Sequence, residues 1–121
     1  MAATVLVADD DADIVRFMEI NLRLEGFEVV TARDGPDALA KAVAVRPDLV
    51  LLDVRMPGID GYTICAQIRA DASLAAVPVI IVTANYGAAE IEAARLAGAD
   101  DFLVKPFLPA TLLDMAKAML S

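Results

Sequence analysis

Short, uninterrupted apolar runs alternate along this chain with longer stretches whose apolar residues recur at three- and four-residue steps. The first pattern predicts strands buried on both faces, the second amphipathic helices. Strands are expected at residues 4–8, 28–32, 49–52, 79–82 and 102–104, and helices at 12–25, 37–45, 62–70, 88–97 and 109–120. In the first helix, Ile14, Phe17, Met18 and Leu22 are expected to face one side. Turn chemistry falls at the breaks: Gly26, Asp34-Gly35-Pro36, Arg46-Pro47, the loop 56–61, the connector 71–77 and Gly98.

Five strand–helix units of this kind imply an α/β fold, a doubly wound five-stranded parallel sheet with helices on both faces. The strand C-termini then share one edge, and ligands of open α/β sheets bind outside it, where strand order reverses. Asp9, Asp10 and Asp11 follow the first strand, Asp53 ends the third, Thr83 the fourth, and Lys105 the fifth. The common order 2-1-3-4-5 puts Asp9 and Asp10 beside Asp53, with Thr83 and Lys105 on its other flank.

Clustered carboxylates repel one another and stay ionised cheaply only if a cation joins them. All-oxygen ligation with water completing the shell suits Mg²⁺ or Mn²⁺. Lys105 and the Thr83 hydroxyl add donors for phosphoryl oxygens, which makes a clamp for phosphoryl transfer. Asp53, central between metal and lysine, is assigned the covalent role. Singly, each residue has a plainer use. One of the three acids can N-cap the first helix, Asp53 and Thr83 can be cap or turn residues, Lys105 a surface lysine and Phe102 core. The combination favours chemistry, because four of the five strand ends carry groups that one mechanism needs. The second strand, at the sheet edge, carries none.

Composition narrows the field. The 121 residues suit one domain, residues 1–121, and 59% apolar content supports a real core. A net charge of −8 without a basic stripe disfavours nucleic acid and anionic membrane as partners of this domain. No apolar run reaches the roughly 18–20 residues of a membrane span, and the N-terminus has no basic n-region, so a cytoplasmic location is expected. The chain has no histidine, which excludes a phosphohistidine or His-ligated metal within it. Cys65, the single cysteine, is expected at a half-buried helix position in a packing role.

The motifs Val7-Ala-Asp-Asp-Asp11, Leu51-Leu-Asp-Val-Arg-Met-Pro-Gly58, Val82-Thr-Ala84 and Gly98-Ala-Asp-Asp-Phe-Leu-Val-Lys-Pro-Phe107 occur in this order over essentially the whole length. Together they resemble the receiver domains of two-component response regulators, with their flavodoxin-like fold. The resemblance implies that Asp53 is the phosphoacceptor in a Mg²⁺-dependent reaction, that Asp10 binds the metal directly, and that Asp9 helps through water. It implies that Arg55 supplies a backbone carbonyl to the metal, Thr83 is the switch hydroxyl, Lys105 binds a phosphoryl oxygen and Phe102 is the switch aromatic. It also implies a cis Lys105–Pro106 bond. The implied partners are a sensor histidine kinase or histidine phosphotransfer protein, docking near Ile14, Val15 and Met18. An output domain or homodimer would use the 88–120 face. Position 102 is Phe where many relatives have Tyr, so this ring offers no hydroxyl. Arg55 and Asn85 flank the site at positions that affect phosphoryl lifetime.

Two other classes share the sheet. An aspartate-nucleophile phosphatase of the haloacid-dehalogenase type usually carries a second acid two residues after the nucleophile, where this chain has Arg55. A nucleotide or flavin binder needs a Gly- or hydroxyl-rich turn after the first strand, where this chain has three aspartates. The receiver reading is compatible with a stand-alone domain or one module of a longer chain, and Met1 favours a receiver-first arrangement.

Overall fold

In a computed structural model, which describes residues 2–85 and 87–121, strands and helices alternate as β1 (Thr4–Ala8), α1 (Ala12–Leu24), β2 (Glu28–Ala32), α2 (Gly35–Val45), β3 (Leu49–Asp53), α3 (Gly61–Ala70), β4 (Val79–Thr83), α4 (Ala88–Ala97), β5 (Asp101–Val104) and α5 (Pro109–Leu120). The strands are parallel, in the order β2-β1-β3-β4-β5. The apolar runs are continuous because the pleat sends alternate residues into two cores. Val5, Val7, Leu49, Leu51, Ile80 and Val82 pack under Met18 and Leu22 of α1 and Leu112 and Ala116 of α5. Leu6, Val50, Leu52 and Ile81 pack under α2, α3 and α4 through Ala38, Ala42, Ile64, Ile68 and Ala94. The doubly wound sheet predicted from the pattern is the observed one.

Local differences have local causes. Helix α2 starts at Gly35, two residues earlier than expected, because the Asp34 carboxylate accepts the Asp37 N–H at 2.7 Å and Pro36 fits the first turn. The buried stripe of α1 is Val15, Met18 and Leu22, so Phe17 falls outside it and packs its ring on Phe107 instead, centroids 5.9 Å apart. Val15 and Met18 belong to the core and offer a docking partner little surface, whereas Ile14 is partly exposed. Cys65 is fully rather than half buried. The Lys105–Pro106 bond is cis. No helix among the described residues is long and apolar enough to cross a membrane.

Away from the polar strand ends, Arg69 of α3 ties four segments together. Its Nε donates to Gly98 O at 2.9 Å, Nη1 to Val77 O at 2.6 Å and Ala75 O at 3.3 Å, and Nη2 to Asp100 Oδ2 at 2.6 Å. The same Asp100 oxygen accepts the Val79 N–H at 2.9 Å, which starts β4. Asp100→Ala should therefore leave the Val79 N–H and an arginine nitrogen without this acceptor and cost about 1–3 kcal/mol. Urea denaturation checks this; an unchanged midpoint would show the network to be dispensable.

Candidate functional site

Past the C-terminal ends of β1, β3, β4 and β5 lies a cleft of about 310 Å³ lined by Asp9, Asp10, Asp11, Asp53, Arg55, Thr83, Ala84, Asn85 and Lys105. Strand order builds it. β3 lies between β1 and β4, so Asp53 sits between the acids that follow β1 and the hydroxyl that ends β4. Asp9 is fully buried, and Asp53 and Thr83 nearly so. One carboxylate oxygen each from Asp9, Asp10 and Asp53 fall within 4.8 Å of one another.

Lys105 answers this charge. It follows β5, two strands away from β3, and its N–H donates to Thr83 O at 2.8 Å. Its side chain crosses the end of β4, and Nζ donates to Asp9 Oδ2 at 2.7 Å and Asp53 Oδ1 at 3.2 Å. Burial alone would lower the lysine pKa, but the bonds and charges of Asp9 and Asp53 outweigh it and the net shift is upward. At Asp53 the balance goes the other way. Burial, then the negative charge of Asp9, pushes its carboxyl up to about 6 despite Lys105.

The three consecutive aspartates divide their labour. Asp11 Oδ1 accepts the N–H groups of Asp13 and Ile14 at 2.9 and 3.3 Å and caps α1. Asp9 Oδ1 accepts the Asp11 N–H at 3.0 Å, which pins the bend, while Oδ2 faces Lys105. Asp10 is exposed at the rim. Hard oxygen donors that converge beside a single lysine, open to the cleft on one side, fit a small divalent cation.

Thr83 Oγ1 accepts the Asn85 N–H at 3.1 Å, which orders the start of the loop toward α4. Arg55 is exposed on the cleft wall. Phe102 stands apart from the other sequence-predicted residues. On β5 it pairs with Ile81 of β4 and lines a separate hollow of about 140 Å³ with Ile91, Ala94 and Arg95 of α4. Two contributors escaped the sequence reading. Gly61 N donates to Val54 O at 2.9 Å, and a Cβ there would meet Asp53 O at 2.3 Å, so only glycine lets α3 start against the end of β3. Arg33, at the end of β2, donates Nε and Nη2 to Asp10 O at 3.3 and 3.1 Å. Its signal was its place one residue beyond the edge strand that neighbours β1.

Comparison with known proteins gives the family and agrees with the fold. The family model for the response regulator receiver domain matches residues 5–117. The transcriptional regulatory protein PrrA of Mycobacterium leprae is 46% identical over 116 residues, covering 96% of this chain and 49% of that protein. The response regulator PleD of Caulobacter vibrioides is 45% identical over 106 residues, covering 88% of this chain and 23% of its own. The chain thus spans about half, or less, of the length of these curated relatives. The chemotaxis protein CheY4 of Vibrio cholerae superposes with a TM-score of 0.95 at 34% identity, covering 99% of this chain and all of that one.

The raised Asp53 pKa has a stability consequence with a definite sign. The folded state holds its proton up to about pH 6, whereas an unfolded aspartate releases it near 3.9. Stability therefore falls as pH rises from about 4 to 6, and the loss is complete above that range. In the absence of divalent cations, Asp53→Asn should stabilise the protein at pH 7.5 by on the order of 1–2 kcal/mol, with the gain fading toward pH 4. Urea denaturation across this range measures it; a variant less stable at pH 7.5 would contradict the assignment.

Proposed function

The chain belongs to the response regulator receiver domain family, and on that premise we propose that residues 1–121 act as a single phosphoacceptor domain, with Asp53 as the acceptor. The observation that carries this reading is the shared lysine. Lys105 Nζ lies within hydrogen-bond distance of both the proposed nucleophile and the fully buried Asp9, in a cleft that also holds Thr83.

The donor is a phosphohistidine on a sensor histidine kinase or histidine phosphotransfer protein, presented at the acidic edge. An Asp53 oxygen attacks phosphorus in line as the P–N bond breaks, and the electron pair of that bond leaves with the imidazole nitrogen. Burial that raises the Asp53 pKa to about 6 still leaves the carboxylate mainly ionised at pH 7. It also makes the anion less well solvated and readier to share charge. Lys105 is placed to follow the negative charge from the carboxylate to a phosphoryl oxygen, and the Thr83 hydroxyl to donate to another after releasing the Asn85 N–H. Asp9, Asp10, Asp53 and the Arg55 carbonyl would hold Mg²⁺ (or Mn²⁺), which would supply charge neutralisation for the transferring group. Water later hydrolyses the acyl phosphate, with Arg55 and Asn85 lining its approach. The chain is thereby a signalling switch that processes only its own phosphoryl group.

The readout runs through the 88–120 face, toward an output domain or a second copy. Helix α4 is anchored by small side chains, its buried residues being Ala94 and Ala97, while Ile91 and Leu96 are exposed. Thr83 movement and rotation of Phe102 against this helix would alter that surface. With a net charge of −8, the domain binds neither nucleic acid nor an anionic membrane directly. A cytoplasmic location suits its kinase partner.

Intact-mass spectrometry after incubation with acetyl phosphate tests the chemistry. Wild type with Mg²⁺ should gain one phosphoryl group, and neither wild type with EDTA nor Asp53→Asn should. Lys105→Ala should be slower by about 10²-fold, as for loss of one preorganised charge-stabilising donor. An adduct that persists in Asp53→Asn would move the acceptor elsewhere. No adduct on wild type, from acetyl phosphate or a cognate kinase, would refute the reading.

A further inference from the structure

We propose that Arg33 is a positioning residue for the metal-binding acids, a role that rests on the reading of the site given above. β1 and β2 pair from Thr4↔Glu28 to Ala8↔Ala32. Beyond that pair, hydrogen bonding between the two segments continues for two residues. The Asp9 N–H donates to Ala32 O at 3.1 Å. The next residue of β2's chain then reaches the next residue of β1's chain, as the Arg33 guanidinium converges with two nitrogens on the Asp10 carbonyl. A side chain thus takes over where the ladder ends.

The position of Asp10 makes this anchor matter. On either side of it, Asp9 and Asp11 have committed their carboxylates, one to the Asp11 N–H and Lys105, the other to the first turn of α1. The direction in which Asp10 presents its own carboxylate is set by its backbone, and Arg33 grips that backbone. The same corner also reaches the other wall of the site. Gly35 N donates to Pro57 O at 3.0 Å, two residues past Arg55. Residues 33–35 therefore touch both loops that carry proposed ligands, and edge strand β2, which bears none of the chemistry, sets their separation.

Coulomb's law and positioning predict opposite signs for the loss of Arg33. Removing a cation near a dication site relieves repulsion and should tighten metal binding. Removing a positioning clamp should weaken it. Lysine keeps the charge but loses the planar fork.

Calorimetric titration of the protein with Mg²⁺ and Mn²⁺ separates these cases. Arg33→Ala should weaken binding roughly three- to tenfold. Arg33→Lys should also bind more weakly than wild type. Both should keep a near-wild-type urea midpoint, since Arg33 is exposed. In the metal-free protein, hydrogen exchange at the Asp11 and Asp13 amides should speed up in Arg33→Ala. Binding by Arg33→Ala as tight as wild type or tighter, or unchanged exchange, overturns the proposal. If wild type itself binds neither ion, the reading of the site as a metal centre fails. The exchange measurement needs no metal and still decides whether Arg33 holds the bend.

Discussion

Two buried carboxylates at adjacent strand ends, held by one lysine, are the constraint around which this molecule is arranged. Asp9 and Asp53 come together because β1 and β3 are neighbours, and β1 and β3 are neighbours because the winding of the sheet reverses there. Lys105 reaches them from beyond β5 by crossing the end of β4, so one ammonium ties together three strand ends that are far apart in sequence. The lysine does not fully offset burial and the neighbouring charge of Asp9, in that order, and the Asp53 pKa stays raised. A site left short of positive charge and open to solvent favours whatever brings more, and the proposed chemistry uses that tendency.

The scaffold around this centre is unevenly stiff. Helices α1 and α5 bury Met18, Leu22 and Leu112 completely, and α3 buries Ile64 and Ile68. Helix α4 buries only alanines, and its N-cap Gly87 makes no side-chain capping bond. At the far end Arg69 Nε donates to Gly98 O at 2.9 Å. Near the cleft its first turn meets α3 through the Tyr62 hydroxyl, which donates to Glu90 O at 3.4 Å. A helix fixed at its C-terminus and lightly held at its N-terminus is suited to pivot, and the N-terminal end is the one that follows Thr83.

What was legible in the sequence followed from periodicity and topology. Continuous apolar runs such as Leu49–Leu52 are satisfied when a strand is buried between two helical layers, so the parallel sheet followed. Once strand order was adopted, Asp9, Asp10, Asp53, Thr83 and Lys105 had to share an edge, and they do. What was not legible depended on contacts rather than patterns. Asp11 could not be told from its neighbours as the cap, because the three side chains are identical and differ only in the angle of the bend. Phe17 fits the helical period of α1 but finds Phe107, whose position depends on how the chain leaves β5. The place of Arg33 just beyond the edge strand was legible, but its bonds to the Asp10 carbonyl beyond β1 depend on a contact that no pattern states. The protonation of Asp53 depends on burial, which a sequence does not state.

Phe102 shows how the two ends of β5 divide their work. Lys105 follows the strand and belongs to the polar cleft, while Phe102, near its start, packs toward α4 beside Ile91 and Ala94. The strand between them is short and pairs along its length with β4, which ends in Thr83. A displacement of Thr83 and a change in the space available to Phe102 are therefore displacements of adjoining parts of one ladder. A phenyl ring has no hydroxyl through which a partner could sense it. It lines the hollow between β5 and α4. Helix α4 above that hollow is seated on Ala94 and Ala97, so less side-chain interdigitation resists a shift there than under α1 or α3.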